Sequence, residues 1–255
     1  IGEIEPRDII AWQNELLAIR QPNGKPYSAS YLQKIHSQLS AIFNHAVNFY
    51  HLPSNPAQKA GNMGKEEHRE MLFWTKEEYL KFADAMMDKP VSYYAFEMLY
   101  WTGIRCGELL ALTPKDFNFE RQELTINKSY QRLNKQDVIT TPKTPKSNRV
   151  IQMPQFLCDE LQDYLKQLYG VEPDSRMFPI SKSYLHREMD RGCKQTGVKR
   201  IRIHDLRHSH ISLLIDMGFT ALAIAERVGH ESIDITYRYA HLFPTRQVEM
   251  ADKLD

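Results

Sequence analysis

The sequence predicts a mainly α-helical protein with a small antiparallel β-sheet, organised as two domains. Over most of the 255 residues, apolar side chains recur every three or four positions, which is the spacing of amphipathic helices. Residues 117–131 and 137–154 instead alternate polar and apolar side chains between turn residues, as antiparallel strands do. Between residues 53 and 70, prolines and glycines precede a run of charges, which indicates an exposed linker.

The first domain, residues 1–62, is predicted to be helical. One helix follows Pro6 in EPRDIIAWQNELLAI, because proline is favoured in a first helical turn. A second helix is predicted in SASYLQKIHSQLSAIFNHAVNFY, with either Ser28 or Ser30 as its N-cap. Residues 63–70 form the predicted linker. The chain begins at Ile1 with a pattern already in progress, so we expect it to be part of a longer chain.

The second domain, residues 71–255, is predicted to place helices before and after the strands. Thr75 and Glu78 are spaced as a capping box at the start of one helix. Gly103 is predicted to end the next helix, and another is predicted to begin near Cys106 or Gly107. The strands form two hairpins in one sheet, and their seven Lys and Arg residues make either a nucleic-acid surface or an edge protected from aggregation.

The composition narrows the function classes. The formal net charge is +1, so only local clusters can indicate a nucleic-acid partner. Cys106, Cys158 and Cys193 lie far apart without a Cys-x-x-Cys pair, which argues against a disulfide framework or a zinc knuckle and favours a reducing cytoplasm. No apolar run is long enough for a bilayer and no secretory signal is visible, so no membrane partner is expected.

The segment HDLRHSHISLLIDMG, from His204, concentrates titratable side chains at the start of a predicted helix. At about 100° per residue, His204, Arg207 and His208 share one face, which we expect to point away from the core. The opposite, core-facing stripe contains Leu206, His210, Leu213 and Met217.

Three interpretations of this helix stay open. His204 and His208 have the spacing of zinc ligands, although no third ligand is evident and Arg207 would place a cation beside the metal. A purely structural role is the second interpretation, for His208 or His210. An anion site is the third, because the planar donors of arginine match a phosphate and imidazoles move protons.

Two other corners of the sequence repeat the anion-binding pattern. Arg105 follows the Gly103 helix stop at a predicted helix N-terminus, where backbone amides and the helix dipole favour anions. His230 follows Gly229, which is predicted to end another helix, and TYRYAHL then supplies two tyrosines. No Ser-His-Asp order, P-loop or Gly-x-Gly-x-x-Gly indicates other chemistry.

Together these motifs resemble the tyrosine recombinase, or phage integrase, family. The matching segments occur in the family's order and spacing over residues 100–242: WTGIRCGELLAL, TPKTPKSNR, HDLRH, GH and the final Tyr-x-His. The chain is similar in character to integrases of conjugative transposons and prophages. The resemblance implies a helical core-binding domain followed by a catalytic domain, and a bacterial or phage-encoded protein of the cytoplasm.

The resemblance also implies a set of active-site residues. By position, the catalytic residues are Arg105, Lys143, His204, Arg207, His230 and Tyr239. The supporting positions are Glu108, Asp205 and His208. Tyr239 fits the nucleophile better than Tyr237, because only Tyr239 is followed after one residue by histidine. Lys146 competes with Lys143, and the threonines on either side of the Pro142-Lys143 pair favour Lys143.

The implied activity is site-specific DNA recombination through a 3′-phosphotyrosyl intermediate, without a metal or another cofactor. A phenol has a pKa of about 10, so its attack on a charged phosphodiester needs help. Arg105, Arg207 and His230 would hold the transition-state charge. His204 could accept the phenolic proton, and Lys143 could give one to the leaving 5′ oxygen.

The implied partner is double-stranded DNA, held in a clamp of the two domains. The predicted phosphate contacts are Lys34, Lys59, Lys65, Lys128, Lys146, Arg149 and Arg202. A homo-oligomer, from dimer to tetramer, is expected on DNA through the C-terminal tail helix, with accessory DNA-bending or directionality factors as further partners. The core-binding domain is expected to be incomplete at its N-terminus.

Three function classes remain at this point. A type IB topoisomerase shares the chemistry of a recombinase and lacks exchange between two duplexes. A non-catalytic DNA-binding protein would explain the basic hairpins but has no need of Tyr239 near His230. A zinc hydrolase would use the histidine pair and is distinguished by its metal content.

Overall fold

The computed structural model describes residues 1–63, 71–141, 145–237 and 239. The chain forms two compact units, Ile1–Glu70 and Met71–Asp255, and the boundary lies at the end of the predicted linker. In the described ranges, no helix has both the length and the apolar character needed to cross a membrane. The functional names given to the two domains remain predictions.

Over residues 1–63, the first unit contains three helices, α1 (Pro6–Ala18), α2 (Ala29–Phe49) and α3 (Pro56–Ala60). Ser28 caps α2, since its hydroxyl accepts a hydrogen bond from the Tyr31 backbone N–H at 3.3 Å, which decides between the two predicted caps. The sequence analysis did not predict α3. This short helix contributes Ala57 to a small core with Ile9 and Phe43.

The second unit contains eight helices and five strands within its described residues. The helices are α4 (Lys76–Asp84), α5 (Pro90–Thr102), α6 (Cys106–Leu109), α7 (Gln155–Gln167), α8 (Lys182–Thr196), α9 (Asp205–Asp216), α10 (Ala221–Val228) and α11 (Ile233–Tyr237). The strands are β1 (Phe117–Asn118), β2 (Glu123–Ile126), β3 (Ser129–Leu133), β4 (Gln136–Thr140) and β5 (Arg149–Gln152). The predicted mainly helical class with little strand is therefore confirmed.

The strands form two sheets and not the single sheet that was predicted. Strands β1, β2 and β5 make one antiparallel sheet, while β3 and β4 pair only with each other. Strand β5 pairs with β2 because this register places Leu124 opposite Ile151, and both side chains are buried. The β4 side chains are mostly exposed, so a β4–β5 ladder would bury little apolar surface.

The core of the second unit surrounds α5. Its Ala95, Phe96 and Met98 side chains have no solvent exposure, and the helix packs against both α7 and α9. Gly103 ends α5 in the left-handed conformation at φ 65°, as predicted from its type. The predicted Thr75–Glu78 capping box is also present, at the start of α4. The turn after α5 leads directly into α6.

The orientation predicted for α9 is wrong for two residues. Arg207, expected on a face turned away from the core, is buried together with Asp205 and His210. The helix packs against both α5 and α10, so it is covered on more than one side. Met217, expected in the core, is exposed at the end of the helix. Periodicity alone assumes one buried face, which fails for an interior helix.

Candidate active site

Arg105 and Arg207 are held at the same turn of the chain. Arg105 is the N-cap of α6, and its guanidinium donates to Glu108 Oε1 at 2.8 Å and to the Gly229 carbonyl at 3.1 Å. Arg207, on α9, donates from Nη1 to the Gly103 carbonyl at 2.9 Å. The turn between α5 and α6 therefore carries one arginine and anchors the other.

Arg207 is a buried cation with an unused donor. Its residue is 3% exposed, and Nη2 has no hydrogen-bond partner among the described residues. Burial, together with the positive charges of Arg105 and Arg149, lowers the pKa of Arg207 to about 9, which leaves it charged at neutral pH. Burying an unpaired donor on a cation is unfavourable, so this position favours an anion as the missing partner.

Glu108 balances part of this positive charge. Its carboxylate is buried and accepts from Arg105, and also from Arg149 Nη2 at 2.9 Å and Nη1 at 3.3 Å. Burial alone would raise the pKa of Glu108, but the hydrogen bonds and charges of the two arginines outweigh it and lower the pKa. Glu108 thus stays ionised and fixes the Arg105 side chain.

Arg149 differs from its predicted role as a phosphate contact. Its side chain is 6% exposed and lies within hydrogen-bonding distance of Glu108 and of the Arg227 carbonyl, which accepts from Nε at 3.0 Å. This inward position could not be predicted from the sequence, because an arginine at the start of a strand is typical of an exposed edge.

His230 lies at the corner after α10, as predicted. Gly229 ends α10 in the left-handed conformation, and His230 Nδ1 lies 2.8 Å from the hydroxyl of Thr236. Burial and the charges of Arg207 and Arg105 lower the pKa of His230 to about 3, so the imidazole is neutral at neutral pH. It can therefore offer a ring N–H toward an anion.

Tyr239 and Tyr237 occupy different environments. Tyr239 is 3% exposed and its hydroxyl hydrogen-bonds with His208 Nδ1, whereas Tyr237 is 54% exposed at the end of α11. The Tyr239 ring packs against a small apolar cluster that includes Ile211 and Val228. The buried tyrosine is the one that the motif predicted as the nucleophile.

His208, and not His204, contacts the Tyr239 hydroxyl in this structure. The two imidazole rings meet edge to face with centroids 5.1 Å apart. Burial, then the charge of His204, lowers the pKa of His208 to about 4. Asp205 Oδ1 lies 3.7 Å from His208 Nε2. His208 was predicted as a supporting residue. Its contact with the Tyr239 hydroxyl places it directly beside the predicted nucleophile.

Comparison with known proteins identifies the family to which the chain belongs. Residues 72–246 match the model of the phage integrase family. The chain belongs to the phage integrase family, which confirms the predicted resemblance to tyrosine recombinases. The ICEBs1 integrase of Bacillus subtilis is 36% identical over 270 residues, which cover 100% of this chain and 72% of that protein. A putative prophage phiRv2 integrase of Mycobacterium tuberculosis is 28% identical over 260 residues, covering 98% and 66%.

Solved structures of other family members share the fold. The Tn1549 transposon integrase, in complex with a circular intermediate DNA, superposes with a TM-score of 0.81 at 20% identity, covering 100% of this chain and 87% of that one. The XerA recombinase gives a TM-score of 0.56 at 20% identity, covering 99% and 83%. At these identities the likeness describes the architecture of this integrase-family chain and not its residue roles.

The remaining predicted residues of this family member lie in varied settings. Lys143 and Lys65 fall outside the described residues. Lys34 and Lys59 are exposed on the first unit. The other three predicted phosphate contacts have protein partners: Lys128 pairs with Asp116, Lys146 donates to the Glu231 carbonyl, and Arg202 pairs with Asp205.

The described part of the chain does not supply the ligands that the metal interpretation needs. There, no group of three or more His, Cys, Asp or Glu side chains is arranged to hold a metal ion. His204 and His208 instead adjoin Arg207, whose charge lowers the pKa of both imidazoles together with burial.

Arg149→Met is predicted to destabilise the second unit by about 3–5 kcal/mol, because it leaves the buried Glu108 carboxylate with one cation in place of two. Urea unfolding followed by tryptophan fluorescence measures the change. Lys194→Met, at an exposed position of α8, is the matched control and is expected to change stability by less than about 0.5 kcal/mol. Equal effects of the two substitutions would contradict an internal role for Arg149.

The low pKa of His230 predicts a pH-dependent stability difference. The unfolded chain binds a proton on this imidazole below its ordinary pKa, while the folded protein binds it only near pH 3, so its contribution is lost as pH falls from about 7. The stability advantage of the wild type over His230→Asn should shrink on acidification by up to about 1.4 kcal/mol per pH unit. Urea unfolding between about pH 7 and pH 4.5 tests this, and parallel curves for the two proteins would refute it.

Proposed function

We propose that this chain cleaves and rejoins strands of double-stranded DNA by site-specific recombination, with Tyr239 forming a 3′-phosphotyrosyl link. The observation that carries the proposal is the unpaired, buried donor of Arg207 beside Arg105 and within the same site as a buried tyrosine. A phosphodiester supplies the anion that this arrangement lacks. Family membership supports recombinase chemistry over the topoisomerase and DNA-binding alternatives.

In the proposed reaction, the Tyr239 oxygen attacks the scissile phosphorus while the 5′ oxygen departs. Arg105, Arg207 and His230 offer donors to the negative charge that grows on the phosphate oxygens, and losing one such donor typically costs about 10²-fold to 10³-fold in rate. The bond from phosphorus to the Tyr239 oxygen replaces the bond from phosphorus to the 5′ oxygen, which leaves as a hydroxyl, so the 5′ hydroxyl of another strand can reverse the step. Neither metal nor nucleotide is required.

Proton transfer in this scheme uses the imidazoles beside the phenol. His208 contacts the Tyr239 hydroxyl and is neutral, so it can accept the phenolic proton, and Asp205 lies near enough to stabilise the imidazolium. His204, the acceptor predicted from the sequence, contacts the His208 ring and is the next imidazole along the proposed path of the proton. Lys143 remains the proposed proton donor to the departing oxygen.

The proposed substrate and partners follow from the family. Solved relatives include a lambda integrase dimer bound to a core site and the Tn1549 integrase on DNA. For this chain we propose a dimer to tetramer assembled on DNA in the bacterial cytoplasm, with accessory DNA-bending or directionality factors. The first unit is proposed to be the core-binding domain, and Lys34 and Lys59 are its proposed phosphate contacts.

Tyr239→Phe is expected to abolish covalent attachment to DNA while leaving DNA binding intact, because only the attacking oxygen is removed. The measurement is a denaturing gel of the protein incubated, in the presence of a chelator, with suicide duplexes that carry candidate element ends. Tyr237→Phe is the matched control and should form the adduct at the wild-type rate, since Tyr237 is exposed. An adduct with Tyr239→Phe, or none with Tyr237→Phe, would refute the assignment.

The chain end supplies a second test of the proposed assembly. Residues 245–255 lie outside the described part, and their amphipathic sequence is proposed to join neighbouring protomers on DNA. Deleting them should leave single-protomer binding and reduce the larger complexes seen by native gel or light scattering. Unchanged complex size after the deletion would remove the tail from the assembly.

A further inference from the structure

Arg227, on α10, makes a set of contacts that the proposed mechanism does not use. Its Nε donates to His210 Nε2 at 3.1 Å, its Nη1 to the Gln152 carbonyl at 3.0 Å, and its Nη2 to the Trp101 carbonyl at 3.3 Å. In return, the Arg227 backbone carbonyl accepts from Arg149 Nε at 3.0 Å. One residue thus bridges α5, α9, α10 and β5.

Two of these partners adjoin the turn that carries Arg105. Trp101 is in the last turn of α5, four residues before Arg105. His210 packs directly against the turn, since a Cβ added to Gly103 would lie 2.5 Å from His210 Cδ2. The same Gly103 carbonyl accepts from Arg207, which lies three residues before His210 on α9. The Arg227–His210 contact therefore adjoins the turn that carries Arg105 and anchors Arg207.

The other contacts of Arg227 reach the opposite side of the site. Gln152 ends β5, the strand that begins with Arg149, and Arg149 holds Glu108. Arg227 itself lies just before the Gly229 corner that presents His230. All four elements that bring the arginines and His230 together are consequently joined through one guanidinium group.

The chemistry of this contact suits positioning better than stability alone. The side-chain partners of Arg227 are an imidazole and two backbone carbonyls, and burial and the charge of Arg149 lower its pKa. Holding a half-buried cation without a carboxylate is unfavourable, and an apolar side chain at such a position is often the more stable choice. A planar guanidinium, however, holds donors on three separate nitrogens in a rigid fork, whereas the donors of a lysine all rotate about one nitrogen on a flexible stem.

We infer that Arg227 and His210 form a positioning pair that sets the distance between the Arg105 turn and the His230 corner before DNA binds. The inference rests on the proposed function, because it concerns the geometry of that same site. His210 must accept at Nε2, and its burial keeps the ring neutral for this purpose. Displacing a catalytic group by about 1 Å can lower a rate about 10²-fold without touching the substrate.

The test measures covalent adduct formation on a suicide duplex at saturating and at limiting DNA. Arg227→Lys keeps the charge and loses the fork of donors, so the rate at saturating DNA should fall about 10-fold to 100-fold while the half-saturating DNA concentration stays within about twofold. A role in folding alone would instead lower the active fraction, which titration of the adduct end point measures directly.

His210→Phe is the second variant. It keeps a ring against Gly103 and removes the acceptor for Arg227 Nε, so it should lower the same rate in the same manner. Because both substitutions break one contact, the double variant should be no slower than Arg227→Lys alone. His210→Phe also decides the matter if Arg227→Lys does not fold.

A chemical rescue adds a readout that a merely structural residue would not give. Arg227 and His210 line a cavity of about 680 Å³, so a small cation can reach the space that Arg227→Ala leaves. Guanidinium ion, at concentrations too low to unfold the protein, should restore part of the adduct rate to Arg227→Ala and leave the wild type unchanged.

Arg191→Lys is the matched control. Arg191 is a partly buried arginine of α8 that bonds to Glu188 and Asp88, neither of which belongs to the site, and its replacement should leave the adduct rate unchanged. Wild-type rates for both Arg227→Lys and His210→Phe, or equal losses with Arg191→Lys, would overturn the inference. A wild type that forms no adduct would overturn the proposed function, and the inference with it.

Discussion

The site in the second unit depends on an excess of positive charge around one buried carboxylate. The guanidinium groups of Arg105, Arg149 and Arg207 come together around a single buried carboxylate, that of Glu108. Two of them bond to this carboxylate, and Arg207 keeps a donor without a partner in the described residues. A protein that needed only stability would replace such a cluster with apolar packing. A phosphate, with its negative charge and several acceptor oxygens, would complete the cluster, as the proposed function requires.

Backbone carbonyls at two helix ends hold Arg105 and Arg207 in place. Two helices, α5 and α10, end at glycines in the left-handed conformation, and each glycine carbonyl then accepts from an arginine of another element. Gly103 receives Arg207 and Gly229 receives Arg105. The carbonyls left free at helix ends thereby fix the side chains that face the phosphate, and the arrangement needs no additional acidic residue.

Burial and positive charge together act on the histidines of the site. Burial, followed by the charges of nearby arginines, lowers the pKa of His204 and lowers that of His230 to about 3. These imidazoles are therefore neutral in the protein without DNA. A bound phosphate would offset the positive potential and raise their pKa toward the ordinary range, so their basicity would increase when substrate arrives.

The sequence by itself determined the local features: the capping box that begins at Thr75, the glycine corners, and the order of motifs that identifies the family. Caps and corners are set by neighbouring residues, so spacing is sufficient to predict them. Only the tertiary structure decided the non-local features. It paired β5 with β2, turned Arg149 inward to Glu108, and brought His208 to the Tyr239 hydroxyl. Those choices depend on which groups find partners between 27 and 41 positions away in the chain, and no local periodicity contains that information.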